Sequence, residues 1–146
     1  DVVVGGTVVA TIGELHPAVL NNYGIKAKVC ICDVNGDELF KYVGGARQYK
    51  ALARFPAVTR DLAFVCDKSV ANGDIIDIIK ESCGEYLESV KLFDVYTGDR
   101  LEAGKKSLAY ALVLRDKNAT LTDAIAEQCT SEILKNLEKI GVFLRT

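Results

Sequence analysis

The chain has 146 residues, is 49% hydrophobic and 26% charged, and carries a net charge of −2. That balance excludes a disordered chain and fits one ordinary domain, or a small domain with a piece of another. No apolar run approaches the ~20 residues that cross a bilayer, and the apolar start at residues 1–11 opens on an acid without a basic flank, so it reads as strand rather than signal peptide.

The sequence contains no Met, which reads as a fragment of a longer protein. Five cysteines, at 30, 32, 66, 83 and 129, form no regular framework, and this suits a reducing cytoplasm. Cys30 and Cys32 share a strand face but lack CxxC partners, and the one histidine, His16, lies far off. A zinc site needs about four ligands, so the cysteines are expected to be small buried apolar residues.

Charge is unevenly spread. Residues 1–46 carry three basic and five acidic groups, residues 47–60 carry Arg47, Lys50, Arg54 and Arg60 with no acid, and residues 61–146 carry eleven basic and fifteen acidic groups. Any nucleic-acid contact is therefore local and does not rest on a general positive field.

In chain order, residues 2–4 and 7–12 predict a hairpin around Gly5-Gly6. Residues 16–20 predict a short helix with Pro17 at its first position and Gly24 beyond its end. Residues 26–34 alternate as a strand, and Asn35-Gly36 reads as a turn. Residues 1–46 offer too few elements to bury a core alone. Gly44-Gly45-Ala46 marks a break, and residues 47–57 read as a linker, with Pro56 holding Phe55 extended.

Residues 58–146 have a regular rhythm. A strand at 61–66 precedes a helix whose stripe is Ile75, Ile78, Ile79 and Cys83, closed by Gly84. Residues 87–96 alternate as a strand, residues 101–106 read as a polar turn, and residues 107–115 as a further strand. Thr122 caps a helix with Ile125, Cys129, Ile133, Leu134 and Leu137 on its apolar stripe, Gly141 ends it, and residues 142–144 form a last strand. The order β-α-β-β-α-β predicts an α+β, ferredoxin-like sandwich: a four-stranded antiparallel sheet with two helices on one face and the other face open, preceded by a small mixed α/β part. The fold selects no ligand by itself.

No catalytic constellation is visible. There is no GxSxG, GxGxxG or GxxxxGK[ST], and His16 reads as a packing or capping residue. What stands out lies at strand ends. Alternation places Asp94 and Tyr96 on one face and Phe93 and Val95 on the other. Phe93 and Val95 are expected in the core, which leaves Asp94 and Tyr96 on the open face. There a tyrosine gives a base a surface to stack on, and a carboxylate accepts from the N1–H and N2–H donors of a guanine edge. A hairpin of the two middle strands brings Ser107 near Tyr96, with Lys105 and Lys106 within reach of phosphates. The bland alternatives are a surface tyrosine, a solvated carboxylate and a solvated loop.

Several segments resemble one family. Arg54-Phe55-Pro56-Ala57-Val58-Thr59-Arg60-Asp61-Leu62-Ala63-Phe64, Leu92-Phe93-Asp94-Val95-Tyr96-Thr97-Gly98, Gly104-Lys105-Lys106-Ser107-Leu108-Ala109 and Thr120-Leu121-Thr122-Asp123 resemble, in order and at family spacing, the anticodon-binding domain at the C-terminal end of bacterial phenylalanyl-tRNA synthetase β subunits. Gly13-Glu14-Leu15-His16-Pro17 resembles the end of the preceding catalytic-like domain. The resemblance implies that residues 1–46 are the end of that domain and residues 58–146 the anticodon-binding domain. It implies a cytoplasmic α2β2 ligase that attaches phenylalanine to its tRNA with ATP and Mg2+. By the same implication the α subunit carries the chemistry, and this chain is expected to carry no catalytic or metal site and no membrane or DNA role.

By the same resemblance, the positions of Asp94, Tyr96 and Ser107 contact the first anticodon base, a guanine. Arg145 is a further anticodon candidate, and Arg60, Lys105 and Lys106 are candidates for phosphate contact. The sequence departs from the family pattern at Thr97, where a longer polar or basic residue is common, and this bears on phosphate contact beside Tyr96. The competing readings are a ferredoxin-like regulatory module for a small ligand such as an amino acid, and an acylphosphatase-like hydrolase. The 97–104 loop is charged rather than glycine-rich, as the first would have it, and no arginine-rich cradle accompanies Arg60, as the second requires.

Overall fold

A computed structural model describes residues 1–45, 49 and 52–145. Residues 47, 48, 50 and 51 of the expected linker, two of its basic groups among them, lie outside the described residues. The chain forms two compact units, Asp1–Lys50 and Ala51–Thr146.

In the first unit β1 (Val2–Val4) and β2 (Thr7–Glu14) form the expected hairpin, and β3 (Cys30–Val34) pairs antiparallel with β2. Gly5 and Gly6 turn the hairpin at φ 55° and 82°, a region open to glycine without a steric penalty. Helix α1 (Pro17–Asn22) starts on Pro17, and His16 caps it, its Nδ1 accepting from the Ala18 N–H at 3.2 Å. Asn35-Gly36 differs from expectation. Asn35 Oδ1 accepts from the Glu38 N–H at 3.1 Å and so opens a short helix, α2 (Gly36–Phe40), instead of closing a turn. Cys30 and Cys32 are exposed, not buried: β3 lies at the sheet edge and no residue of it is covered. Among the described residues of this unit, Val9, Ala10 and Leu20 are the buried apolar ones.

The second unit has the expected order. Strand β4 (Val58–Asp67) leads to α3 (Asn72–Cys83), then β5 (Leu87–Tyr96), β6 (Lys105–Leu114), α4 (Asp123–Glu138) and β7 (Phe143–Leu144). The sheet order is β5-β6-β4-β7, antiparallel throughout. Helix α3 ends where Gly84 takes φ 51°. Thr122 Oγ1 accepts from the Ile125 N–H to start α4, and Gly141 at φ 74° ends it. Asn136 Nδ2 donates to Ser82 Oγ at 3.0 Å and ties the two helices together.

Phe64, Cys66, Leu108, Tyr110, Leu112 and Leu114 line the helix side of the sheet, and Ile75, Ile79, Cys83, Ala126, Cys129, Ile133 and Leu137 meet them from α3 and α4. Each large aliphatic side chain so buried contributes on the order of 1.5–3 kcal/mol. Tyr110 is fully enclosed yet satisfied, since its hydroxyl donates to Asn72 Oδ1 at 2.7 Å. Arg115 donates to Glu88 Oε2 at 2.6 Å and to the Phe55 carbonyl, which fastens residue 55 to the sheet.

Phe93 and Val95 do not join this core; each is 54% exposed. The register of β5 against β6 shifts between Leu92 and Asp94, with Leu92 opposite Tyr110 but Asp94 opposite Ala109. One extra residue, Phe93, is thus inserted, and a bulge of this kind exchanges the faces of everything beyond it. Leu92 faces the helices, Asp94 and Tyr96 face away, and Val95 lies on the helix side beyond the cover of the helices. The expected turn at 101–106 is also shorter, because Lys105 and Lys106 already belong to β6.

Candidate nucleic-acid interface

Residues directly opposite in an antiparallel pair point to the same face. On the face away from the helices, Tyr96 stands opposite Ser107, Ser107 opposite Val65, and Val65 opposite Phe143, one row across all four strands. The next row holds Asp94, Ala109 and Ala63. Lys91, Ala111 and Asp61 follow. Ala63, Ala109 and Ala111 make the middle of this face shallow, and polar or aromatic side chains stand around it.

Arg145 follows β7, and its backbone N–H donates to the Ala63 carbonyl at 2.8 Å. Its guanidinium reaches across the row. Nη1 donates to Ser107 Oγ at 3.4 Å, and Cζ lies 5.7 Å from the centre of the Tyr96 ring, within cation–π range. Ser107 is buried and its hydroxyl is engaged, whereas Asp94 and Arg145 are exposed and Tyr96 is half-buried. The site therefore presents an aromatic ring, a cation and an exposed carboxylate on a floor of small side chains, groups suited to stacking and edge recognition.

Two neighbours shape the Tyr96 ring. Arg145 is one, and Gly98 is the other. A β-carbon at position 98 would lie 2.8 Å from Tyr96 Cε2 and closer still to Cζ and Oη. In the sequence Gly98 stood out only as the last residue of the family-like segment Leu92–Gly98; its close approach to the Tyr96 ring is a fact of the tertiary structure.

The remaining candidates lie apart. Arg60 is opposite Leu112, on the helix side, where Nη2 pairs with Asp123 at 3.7 Å and Nη1 donates to the Thr59 carbonyl. Asp61, its neighbour in sequence, lies on the open face. Lys106 donates to the carbonyls of Val70 and Lys68 at 2.6 and 3.1 Å. Lys105 is on the open face at the sheet end, paired with Asp67 at 3.1 Å. Among the described residues no three His, Cys, Asp or Glu side chains converge to hold a metal ion, and no helix is long and apolar enough to cross a membrane.

Two family models match in register with these observations. The phenylalanyl tRNA synthetase beta chain CLM domain matches residues 1–35, and the ferredoxin-fold anticodon binding domain matches residues 53–145. Similar full-length proteins are phenylalanine–tRNA ligase beta subunits. That of Clostridium tetani is 47% identical over 92% of this chain, that of Clostridium acetobutylicum 42% over 95%, and that of Bacteroides fragilis strain YCH46 41% over 97%. The chain spans only 17–18% of the length of these relatives. By sequence and by architecture, it belongs to the ferredoxin-fold anticodon binding domain family.

Proposed function

We propose that this chain is the anticodon-recognising part of a phenylalanine–tRNA ligase β subunit, with Asp94, Tyr96, Ser107 and Arg145 as the recognition cluster. The observation that carries the reading is the meeting of three residues remote in sequence: Tyr96 and Ser107 stand opposite each other, and Arg145 touches both. Tyr96 offers a base a stacking surface, for which exchange to alanine costs about 1–3 kcal/mol in single-strand recognition. Asp94 is an acceptor only, which suits the N1–H and N2–H donors of a guanine at the first anticodon position. Ser107 holds Arg145 over the ring, and Arg145 neutralises a neighbouring phosphate. Lys105 joins by exchanging Asp67 for a phosphate, while Arg60 and Lys106 fasten strand ends.

Residues 1–46 then belong to the end of the preceding domain, residues 47–57 to a linker and residues 58–146 to the RNA-binding module. The whole enzyme, a cytoplasmic α2β2 assembly, would attach phenylalanine to its tRNA with ATP and Mg2+. Among the described residues no three His, Cys, Asp or Glu side chains converge to hold a metal ion, and the contribution we assign to this chain is to bind and orient the tRNA.

The test is a titration of the 146-residue chain with an RNA stem-loop bearing the phenylalanine anticodon, beside a second loop with C at its first position. The G loop should bind more tightly, Tyr96→Ala should weaken it by about 1–3 kcal/mol, and Asp94→Asn should erase the preference. Equal affinity of the unaltered chain for both loops would remove Asp94 from the reading.

A further inference from the structure

The geometry points to a second base-stacking site at Phe143, at the far end of the row that begins at Tyr96. It rests on the anticodon reading above and extends it to another nucleotide of the same loop.

Phe143 is 54% exposed although it lies in a strand. Its partner Val65 sets it on the open face, in line with Ser107 and Tyr96. Three strand spacings separate the two rings, about 14 Å at ~4.8 Å each. That far exceeds the ~3.4 Å rise of stacked bases. Two bases seated on these rings are therefore not neighbours in one stack but members of a splayed single strand, the form in which RNA loops are read on sheets.

A cleft of about 400 Å³ opens beside Phe143, lined by Val65, Arg100, Leu101, Glu102, Lys105 and Phe143. This volume lies in the ~300–1,000 Å³ range of ligand clefts. Arg100 makes no ion pair among the described residues. An aromatic side chain and the Arg100 cation in one lining, in the row that runs from Tyr96 through Ser107 and Val65, match a base on Phe143 and its phosphate at Arg100. Arg145 lies between the two sites, two residues after Phe143, placed to accompany the backbone that joins them.

The test uses the whole chain and the phenylalanine anticodon stem-loop, with loop nucleotides made abasic one at a time. Phe143→Leu should weaken binding about 5- to 150-fold, while Phe143→Trp keeps it within about twofold. Removing one particular base should cancel the Phe143→Leu effect, and a different base should cancel that of Tyr96→Ala. If Phe143→Leu binds like the unaltered chain while Tyr96→Ala is impaired, the second site is overturned and the anticodon reading stands. Cancellation of both effects by the same base also overturns it. Unchanged binding by Tyr96→Ala would instead overturn the anticodon reading itself.

Discussion

Arg145 holds its guanidinium 5.7 Å from the centre of the Tyr96 ring while the same side chain donates to Ser107. A cation so placed fixes the ring before any ligand arrives and brings charge to the site. Arg145→Ala should weaken stem-loop binding and lower the slope of log K against log salt by about one, as for the loss of one phosphate contact. The contact is exposed and worth about 0.5–1 kcal/mol, so thermal unfolding should shift little. Fluorescence anisotropy across a salt series, with a parallel melt, checks both.

Gly98 sets the other limit on Tyr96. Gly98→Ala places a methyl group where the ring now lies. The ring is the movable partner, so the fold should persist while Tyr96 turns out of place. Aromatic NMR resonances of Tyr96 should move without RNA present. RNA affinity should fall in the unaltered background and stay level when Tyr96 is already alanine.

Tyr110 gives stability a dependence on high pH. Burial, with Cys66 adding to it, pushes its phenol up to about 12 from an ordinary 10. The unfolded chain then loses this proton first as pH rises, and the stabilisation is complete below pH ~10 and lost towards pH ~12. The two-unit span corresponds to at most about 2.7 kcal/mol. Urea unfolding between these limits should show the decline, and Tyr110→Phe should remove that part of it. At neutral pH the same variant should lose about 0.5–1.5 kcal/mol, because the bond to Asn72 is gone.

The five thiols should divide in two. Cys30 and Cys32 are exposed, whereas Cys66, Cys83 and Cys129 are buried. Burial pushes the Cys66 thiol up, and burial beside Cys129 pushes Cys83 up to about 12. Only thiolates attack alkylating reagents. A short exposure of the folded chain to iodoacetamide should label two cysteines rapidly, read by peptide mass spectrometry. Labelling of Cys83 at the same rate would contradict the packing of α3 on α4.

The sequence alone carried much of this chain. Helix stripes such as Ile75, Ile79 and Cys83, the caps at His16 and Thr122, and the stops at Gly84 and Gly141 are legible because they depend on backbone geometry within a few residues. So is the chain order of elements in the ferredoxin-like plan, and the motifs around Asp94, Tyr96 and Ser107 pointed to the family. Strict alternation also set Asp94 and Tyr96 opposite Phe93 and Val95, but for a reason that did not hold, since neither apolar residue is buried. Tertiary pairing decided that point. The bulge at Phe93 exists only relative to β6, and it turns Asp94 and Tyr96 to the open face although Leu92 faces the helices. Pairing of β7 with β4 is equally non-local, yet it alone brings Arg145 to residues 38 and 49 positions away and sets Phe143 in the row of Tyr96. Arg60 went to the helix side because its partner on β6 is Leu112, a fact of register. Alternation is a property of one strand, whereas register, bulges and cover belong to the strands and helices that meet it.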